Sequence, residues 1–512
     1  MIHVKSFAED FGAKVVLGWS RPLFLSFVFG FVVRLIPELL SFPYPIGYDP
    51  IYYAWRIESG VVWYHWSQVF STWLFYAILI PLHNAIQGDP FVLLKLTAAL
   101  LFGFNACGVY YFATKALDWT TKKGLLASVF FSLQMAALVF SSNFYRNMLG
   151  LGILLFALPL IKDDFRSMRR FLVFVLLSVL VVFSHEYGSV ILFAVVLGFL
   201  VNRLLKRTKM NVLKVLMAIS PALALFLALF LARFCFSVIP VTLETEKNVI
   251  RVETVGNYQG ALFFLRNYLA IYETTQYYPM SLNLASQVLS LFAGLYIVAL
   301  PLVLVGFFKD NVLDSWTAML LIGSFGALVT PFFALDLWYR WMLMLVYPFT
   351  FYAVNGITRV LQSSRRAVDL TLRHVHWMRL ADRAVKLVLI LPFCLGLVFM
   401  ATAMQGSAVP LCDVDDTIRA MRWLDAQMDD GSTLLTHDAF FNWARLYLDE
   451  RQTVIRFKDD IEGAINIALQ YGFNDFYFVW WNENIGWYDV AVPNGFVAIF
   501  RSGRISVFEY FG

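Results

Sequence analysis

Charge is scarce in this sequence. Only 15% of its 512 residues are Asp, Glu, Lys or Arg, while 60% are hydrophobic. Soluble domains carry about 25% charged residues, so the shortage excludes a soluble fold for most of the chain. Cysteine is equally sparse. Cys107, Cys235 and Cys394 fall in or beside apolar segments and only Cys412 lies in a polar region, which leaves no disulfide framework. No Asn-x-Ser/Thr acceptor occurs, favouring a prokaryotic membrane over a glycosylating secretory one. No stretch has the character of a nucleic-acid site, and the net charge of +5 is too small to make one.

What the sequence has instead is apolar runs along nearly its whole length, many long enough to cross a bilayer at roughly 20 residues per helix. The fold class expected is mainly α: a polytopic transmembrane bundle of about eleven helices, with a small C-terminal α/β domain outside the membrane. The first run, Leu23 to Leu40, contains Arg34 and Glu38 and no small-residue cleavage pattern follows it, so it reads as a retained helix. Arg34 and Glu38 are four apart, share a helix face and can pair.

The basic residues order the helices. Lys5, Lys14 and Arg21 place the N-terminus in the cytoplasm by the positive-inside rule, and helix one, 22–41, runs outward. Residues 42–91 then form a long outer loop. Its second half, Val69 to Ile86, is apolar enough to span, but counting it would move Lys115, Lys122 and Lys123 outside; a helix lying in the interface restores the rule. Trp63, Tyr64, Trp66, Trp73 and Tyr76 suit that level. The remaining spans read as 92–114, 125–141, 147–161, 171–184, 189–202, 214–236, 285–307, 315–332, 341–358 and 387–404, with a second long outer loop at 237–284. Residues 1–404 thus form the membrane domain and 405–512 the outer domain. In the latter, Asp413 to Met428 has helical spacing, Leu434-Leu435, Thr453 to Phe457 and Phe476 to Trp480 read as strands, and Phe496–Phe500 with Ile505–Tyr510 flank the hairpin signal Ser502-Gly503.

The candidate site begins at Gly47-Tyr48-Asp49-Pro50. One carboxylate at a membrane edge, framed by Pro45, Gly47 and Pro50, points to a site as readily as to an Asp accepting backbone hydrogen bonds in a turn. On this topology Asp49, Arg146, His185, Glu186, Asp336 and Arg340 all lie at outer helix ends, opposite the basic loops. A carboxylate can take a proton from an attacking hydroxyl, and an arginine fork can hold a phosphate. Each also has a plainer reading: His185-Glu186 as a helix-end pair, Asp336 with Arg340 as a surface ion pair, Arg146 as a snorkelling residue, and Arg340 with Tyr339 and Trp341 as head-group anchors.

This layout resembles the GT-C glycosyltransferases, among them the oligosaccharyltransferase catalytic subunit, the protein mannosyltransferases and the lipid A aminoarabinose transferase. The resemblance covers residues 20–360 by layout and a few residues by motif. Asp49 matches the first-loop acid, Val69 to Ile86 is similar to the second interfacial helix, and Leu125 to Leu149 looks like the third and fourth helices with their short outer loop. Tyr339-Arg340 before Pro348 is similar to the helix whose arginine meets the carrier phosphate. The resemblance implies an enzyme that transfers a sugar from a polyprenyl-phosphate or -diphosphate carrier to a glycan, lipid or protein acceptor at the outer face of the plasma membrane. It implies Asp49 as catalytic base and Arg340, with Tyr339 beside it, at the carrier phosphate; their shared side of the membrane adds Asp336, His185, Glu186 and Arg146 as substrate-binding candidates. No resident cofactor is implied; a divalent metal, Mg or Mn, belongs to the oligosaccharyltransferase branch. That branch carries acids in the second outer loop, where this chain has Asn143, Arg146 and Asn147, and a Trp-Trp-Asp motif that this chain lacks, Trp480-Trp481-Asn482 at a strand end being similar in letters only. Two other readings stay open: a transporter or flippase of lipid-linked substrates, which would show internal repeats, and a non-catalytic membrane scaffold.

Overall fold

A computed structural model describes residues 21–60, 62, 73–162, 165, 167–206, 212–231, 249–251, 282–326, 335–369, 409–429, 432–449, 451–457, 461–473, 475–482 and 492–511. The chain is mainly helical, with one small mixed sheet near the C-terminus. Among the described residues four helices are long and apolar enough to cross a membrane: α1 (Arg21–Leu40), then Pro90–Lys115, Glu186–Leu205 and Val212–Phe230. Two bent pairs raise the number to six. Their outward faces are apolar: Leu197 and Leu304 are 63% and 71% exposed. Rows of exposed leucine on long helices are stable only against lipid, which makes this an integral membrane protein.

After α1 come α2 (Asp49–Glu58), α3 (Leu74–Ile86) and α4 (Pro90–Lys115). At 13 residues α3 is about 20 Å long, too short to span a core of about 30 Å. It is a short helix as expected, starting five residues later than Val69; Trp63, Tyr64 and Trp66 lie outside the described residues. Helices α1 and α4 pack most closely where glycines remove side chains. A Cβ on Gly30 would lie 2.6 Å from Ala106 Cβ, and one on Gly103 would lie 2.8 Å from the Phe27 carbonyl.

The expected helix at 125–141 is two helices, α5 (Thr121–Leu133) and α6 (Met135–Asn143), bent by 62°. Gln134 between them is extended, and its Nε2 donates to Thr350 Oγ1 at 2.6 Å. Next come α7 (Tyr145–Ala157), α8 (Met168–Ser184), α9 (Glu186–Leu205) and α10 (Val212–Phe230). The span expected at 285–307 is also broken, into α11 (Leu282–Tyr296) and α12 (Leu300–Gly306), which meet at 74°. Pro301 starts the second piece, since proline fits the first turn of a helix but not its interior. Then follow α13 (Asn311–Gly326), α14 (Leu335–Met344) and α15 (Val346–Asp369), so Arg340 stands inside a helix rather than before one. The expected helix at 387–404 lies outside the described residues.

The two ends of the bundle differ. At one end the loops are tied by lysines and an arginine. Lys162 pairs with Asp118 and donates to the Ala116 carbonyl at 2.8 Å, Lys123 donates to Asn355 at 2.8 Å, and Arg359 donates to the Val305 carbonyl at 2.8 Å. The other end carries α2, the α6–α7 turn and the α8–α9 turn.

The C-terminal domain comprises α16 (Leu411–Gln427), β2 (Thr433–His437), α17 (Asp438–Tyr447), β3 (Thr453–Phe457), α18 (Ile461–Gln470), β4 (Phe476–Trp481) and the hairpin β5 (Phe496–Ser502) and β6 (Ile505–Tyr510). A sixth strand, β1 (Val249–Arg251), comes from the stretch read as the second outer loop. The sheet order is β1-β3-β2-β4-β6-β5, parallel through β4 and antiparallel beyond it. Residue 405 is therefore not a clean boundary. The sheet takes its edge from residues more than 150 positions earlier, which ties the loop to the domain.

Candidate functional site

The turn that carries Asp49 is fixed by its backbone. Gly47 has φ +113°, and a Cβ there would lie 2.1 Å from the Ser142 carbonyl oxygen, so only glycine fits. Beside it the Tyr48 amide donates to Asn143 Oδ1 at 2.7 Å. Pro50 follows Asp49 in the first turn of α2, where its missing N–H is no loss. The Tyr53 hydroxyl then donates to the Asn143 carbonyl at 3.1 Å. Three contacts thus clamp the start of α2 onto the C-terminal end of α6. Asn143, which stands where an acid was absent, serves as that clamp.

Five of the expected site residues converge here. Arg340 and Arg146 both act on Asp49 through space. Burial pushes the Asp49 carboxyl above the ordinary carboxylate range, and the two guanidinium groups partly offset it. Arg340 lies over the Phe144 ring at 5.0 Å, and Arg146 over the Tyr76 ring at 5.9 Å. Glu186 acts on Arg146 through space as well. His185 caps α9: its Nδ1 accepts from the Tyr187 amide at 3.2 Å and stands 3.6 Å from Glu186 Oε2. The His185 ring meets Tyr187, whose ring packs at 4.8 Å on Trp341, next to Arg340. So His185 is both a helix cap and a neighbour of the arginine helix. Asp336 and Tyr339 lie in the same helix α14, about one turn before Arg340 and next to it; their side chains lie outside the described residues.

Sequence reasoning missed the wall behind this site. The expected Arg34–Glu38 pair forms, at 2.6 Å, but it is three-membered: Lys95 Nζ reaches Glu38 Oε2 at 3.1 Å, the Glu38 carbonyl at 2.6 Å and Ser41 Oγ at 2.7 Å. Arg34 Nη2 lies 3.4 Å from the Ser141 carbonyl, so the cluster joins α1, α4 and α6. Tyr145 links it to Tyr53, with ring centroids 5.3 Å apart. A lone lysine inside an apolar run was the signal available, and Lys95 carries it.

The donor set does not suit a divalent cation. Among the described residues no three of His, Cys, Asp and Glu converge, and the charges that act on Asp49 are those of two arginines. The arrangement instead joins one proton acceptor to two cations that can hold an anion, beside aromatic faces.

No family model matches the chain, and no curated protein matches it. Among solved structures it is similar to two cryo-EM structures of the arabinofuranosyltransferase AftD from Mycobacteria. One is 13% identical, covering 94% of this chain and 39% of that one at a TM-score of 0.46. The other, the mutant R1389S, is 12% identical, covering 94% and 41% at a TM-score of 0.48. The chain thus spans about two fifths of the length of those structures.

Proposed function

We propose that this protein is a glycosyltransferase of the GT-C type, moving a sugar from a polyprenyl-phosphate carrier to a hydroxyl-bearing acceptor at the outer membrane face. The observation that carries the reading is the meeting of Asp49, Arg146 and Arg340, from three separated segments, at the bundle end opposite the lysine-tied loops. In this reaction Asp49 takes the proton of the acceptor hydroxyl. The freed oxygen bonds to the anomeric carbon as the bond from that carbon to the carrier phosphate oxygen breaks. The phosphate leaves with one more negative charge, which Arg340 and Arg146 hold. Glu186 and His185 orient the arginine pair and the bound sugar.

Comparison of lipid-linked glycans in cells with and without the protein tests this. Loss of the protein should accumulate one sugar-charged carrier, and an Asp49→Asn variant that reaches the membrane should accumulate the same one. Full complementation by Asp49→Asn would rule out the base role.

A further inference from the structure

Two adjoining hollows open where the outer domain meets the membrane domain. One, of about 440 Å³, is lined by Tyr44, Asp89 and Phe91 on the membrane side and by Asp415, Arg422 and Tyr447 on the outer domain. The other, of about 650 Å³, continues past Asp89 to Asn84, Gln87, His83 and Glu58. Both volumes suit ligand sites, which run to roughly 300–1,000 Å³. Asp89 lines both, and the charges of Asp89 and Glu58 both reach the Tyr447 hydroxyl, so the hollows form one groove.

The groove is built and held open. The Tyr44 hydroxyl donates to Asp415, which ties the two walls together. Tyr447 stacks in parallel on Trp443, at 6.4 Å and 7°, and Trp443 meets Phe91 edge-on at 6.2 Å. Arg422 lies over the Tyr447 ring at 5.6 Å. Trp443 also lines a small hollow with Gly47 and Tyr48, and Tyr44 is five residues before Asp49. The groove therefore borders the segment that carries the candidate base.

Its chemistry selects among ligands. Three carboxylates, Glu58, Asp89 and Asp415, stand against Arg422 and against Arg419, itself bridged to Asp416 at 2.6 Å, with His83 paired to Glu58 at 3.3 Å, so the groove carries no excess of positive charge. Near-balanced charge gives a polyanion no field to follow. A peptide bound as an added strand needs an open sheet edge, and one bound by its side chains needs apolar pockets. The lining has no strand edge, and its apolar members Pro43, Phe91 and Ile418 are interspersed with planar amides, carboxylates and guanidinium groups beside tyrosine faces. Such groups exchange hydrogen bonds with several hydroxyls at once, while an aromatic face takes the C–H side of a sugar ring.

We propose that this groove binds a neutral oligosaccharide of several sugar units, the acceptor chain of the transfer reaction, an identification that rests on the glycosyltransferase reading above. The test is direct binding to the full-length protein in lipid nanodiscs. The probes are neutral linear hexasaccharides of the gluco, manno, galacto and arabino series, their disaccharides, and a mixed decapeptide pool. At least one hexasaccharide should bind, and more tightly than its disaccharide. Arg422→Ala and Asn84→Ala, both at exposed positions, should each weaken that binding by about tenfold without lowering the melting temperature. Asp49→Asn should leave it within about twofold. Failure of the whole panel, equal affinity for the disaccharide, tighter binding of the decapeptides, or unchanged affinity in both groove variants would overturn the assignment. Because binding is read without transfer, loss of the base role for Asp49 and loss of the groove are separate results.

Discussion

At the residue scale, Asp49 owes its character to opposing influences. Removal from water raises its proton affinity, and the fields of Arg340 and Arg146 lower it. A base in that setting works only when deprotonated, so kcat/KM should rise with pH through an inflexion above the ordinary carboxylate range. Replacing Arg340 with Gln removes a lowering influence. The inflexion should therefore move to higher pH as overall activity falls, and Arg340→Lys should return it towards its original position. A pH–rate profile of the three proteins checks this; an inflexion that shifts downward in Arg340→Gln would contradict it. Gly47 is the other decisive residue. Alanine there meets the Ser142 carbonyl and an unfavourable φ, at a cost of about 1–3 kcal/mol for the backbone alone. Gly47→Ala should thus lower both activity and the melting temperature, whereas alanine at Gly60, which also has a positive φ (+66°) but where a Cβ meets nothing within 4 Å, should lower the melting temperature and spare activity.

At the element scale, the membrane helices are held behind the site by charge inside an apolar bundle. Removing one member of a buried ionic cluster strands the others and costs about 3–5 kcal/mol. Glu38→Gln leaves both Arg34 and Lys95 without their carboxylate. Thermal unfolding in detergent should show a large drop in melting temperature for Glu38→Gln, and an unchanged value would mean that the cluster does not join the helices. The same scale shows what the sequence made legible. Arg34 and Glu38 could be paired because four residues make one helical turn, but Lys95 could not be added, because its partner is 57 positions away. Helix α1 was readable from its apolar run. The break at Gln134 was not, because no proline or glycine marks it and the bond to Thr350 that goes with it is 216 positions away. The break before α12 carries Pro301, a legible mark that a continuous apolar run concealed. In the C-terminal domain the strands and the hairpin stood out by alternation. The edge strand Val249–Arg251 did not, since three residues carry too little pattern.

At the scale of the whole molecule, the bundle separates its tasks between two ends and a docked domain. Basic groups bind the loops together at one end, and the acid, the arginines and the aromatic faces meet at the other. The C-terminal domain sits on the same end: Arg445 lies 3.2 Å from the centre of the Trp55 ring, and the Tyr48 hydroxyl donates to the Asp438 carbonyl at 3.1 Å. Sequence reasoning singled out Asp49, Arg146, His185, Glu186 and Arg340 by their common sidedness and, for Asp49 and Arg340, by the family resemblance. It could not reach the groove, whose walls come from residues 43–91 and 415–447 and meet only in the folded chain. The account rests on Asp49 acting as the base of a sugar transfer from a lipid phosphate. The most direct measurement is single-turnover transfer in proteoliposomes from a polyprenyl-phosphate-linked sugar bound to the enzyme, compared between the wild type and Asp49→Asn. A fall of about 10²–10⁴-fold in the rate, with the carrier still bound, is the predicted result; a rate within a few-fold of wild type would contradict it.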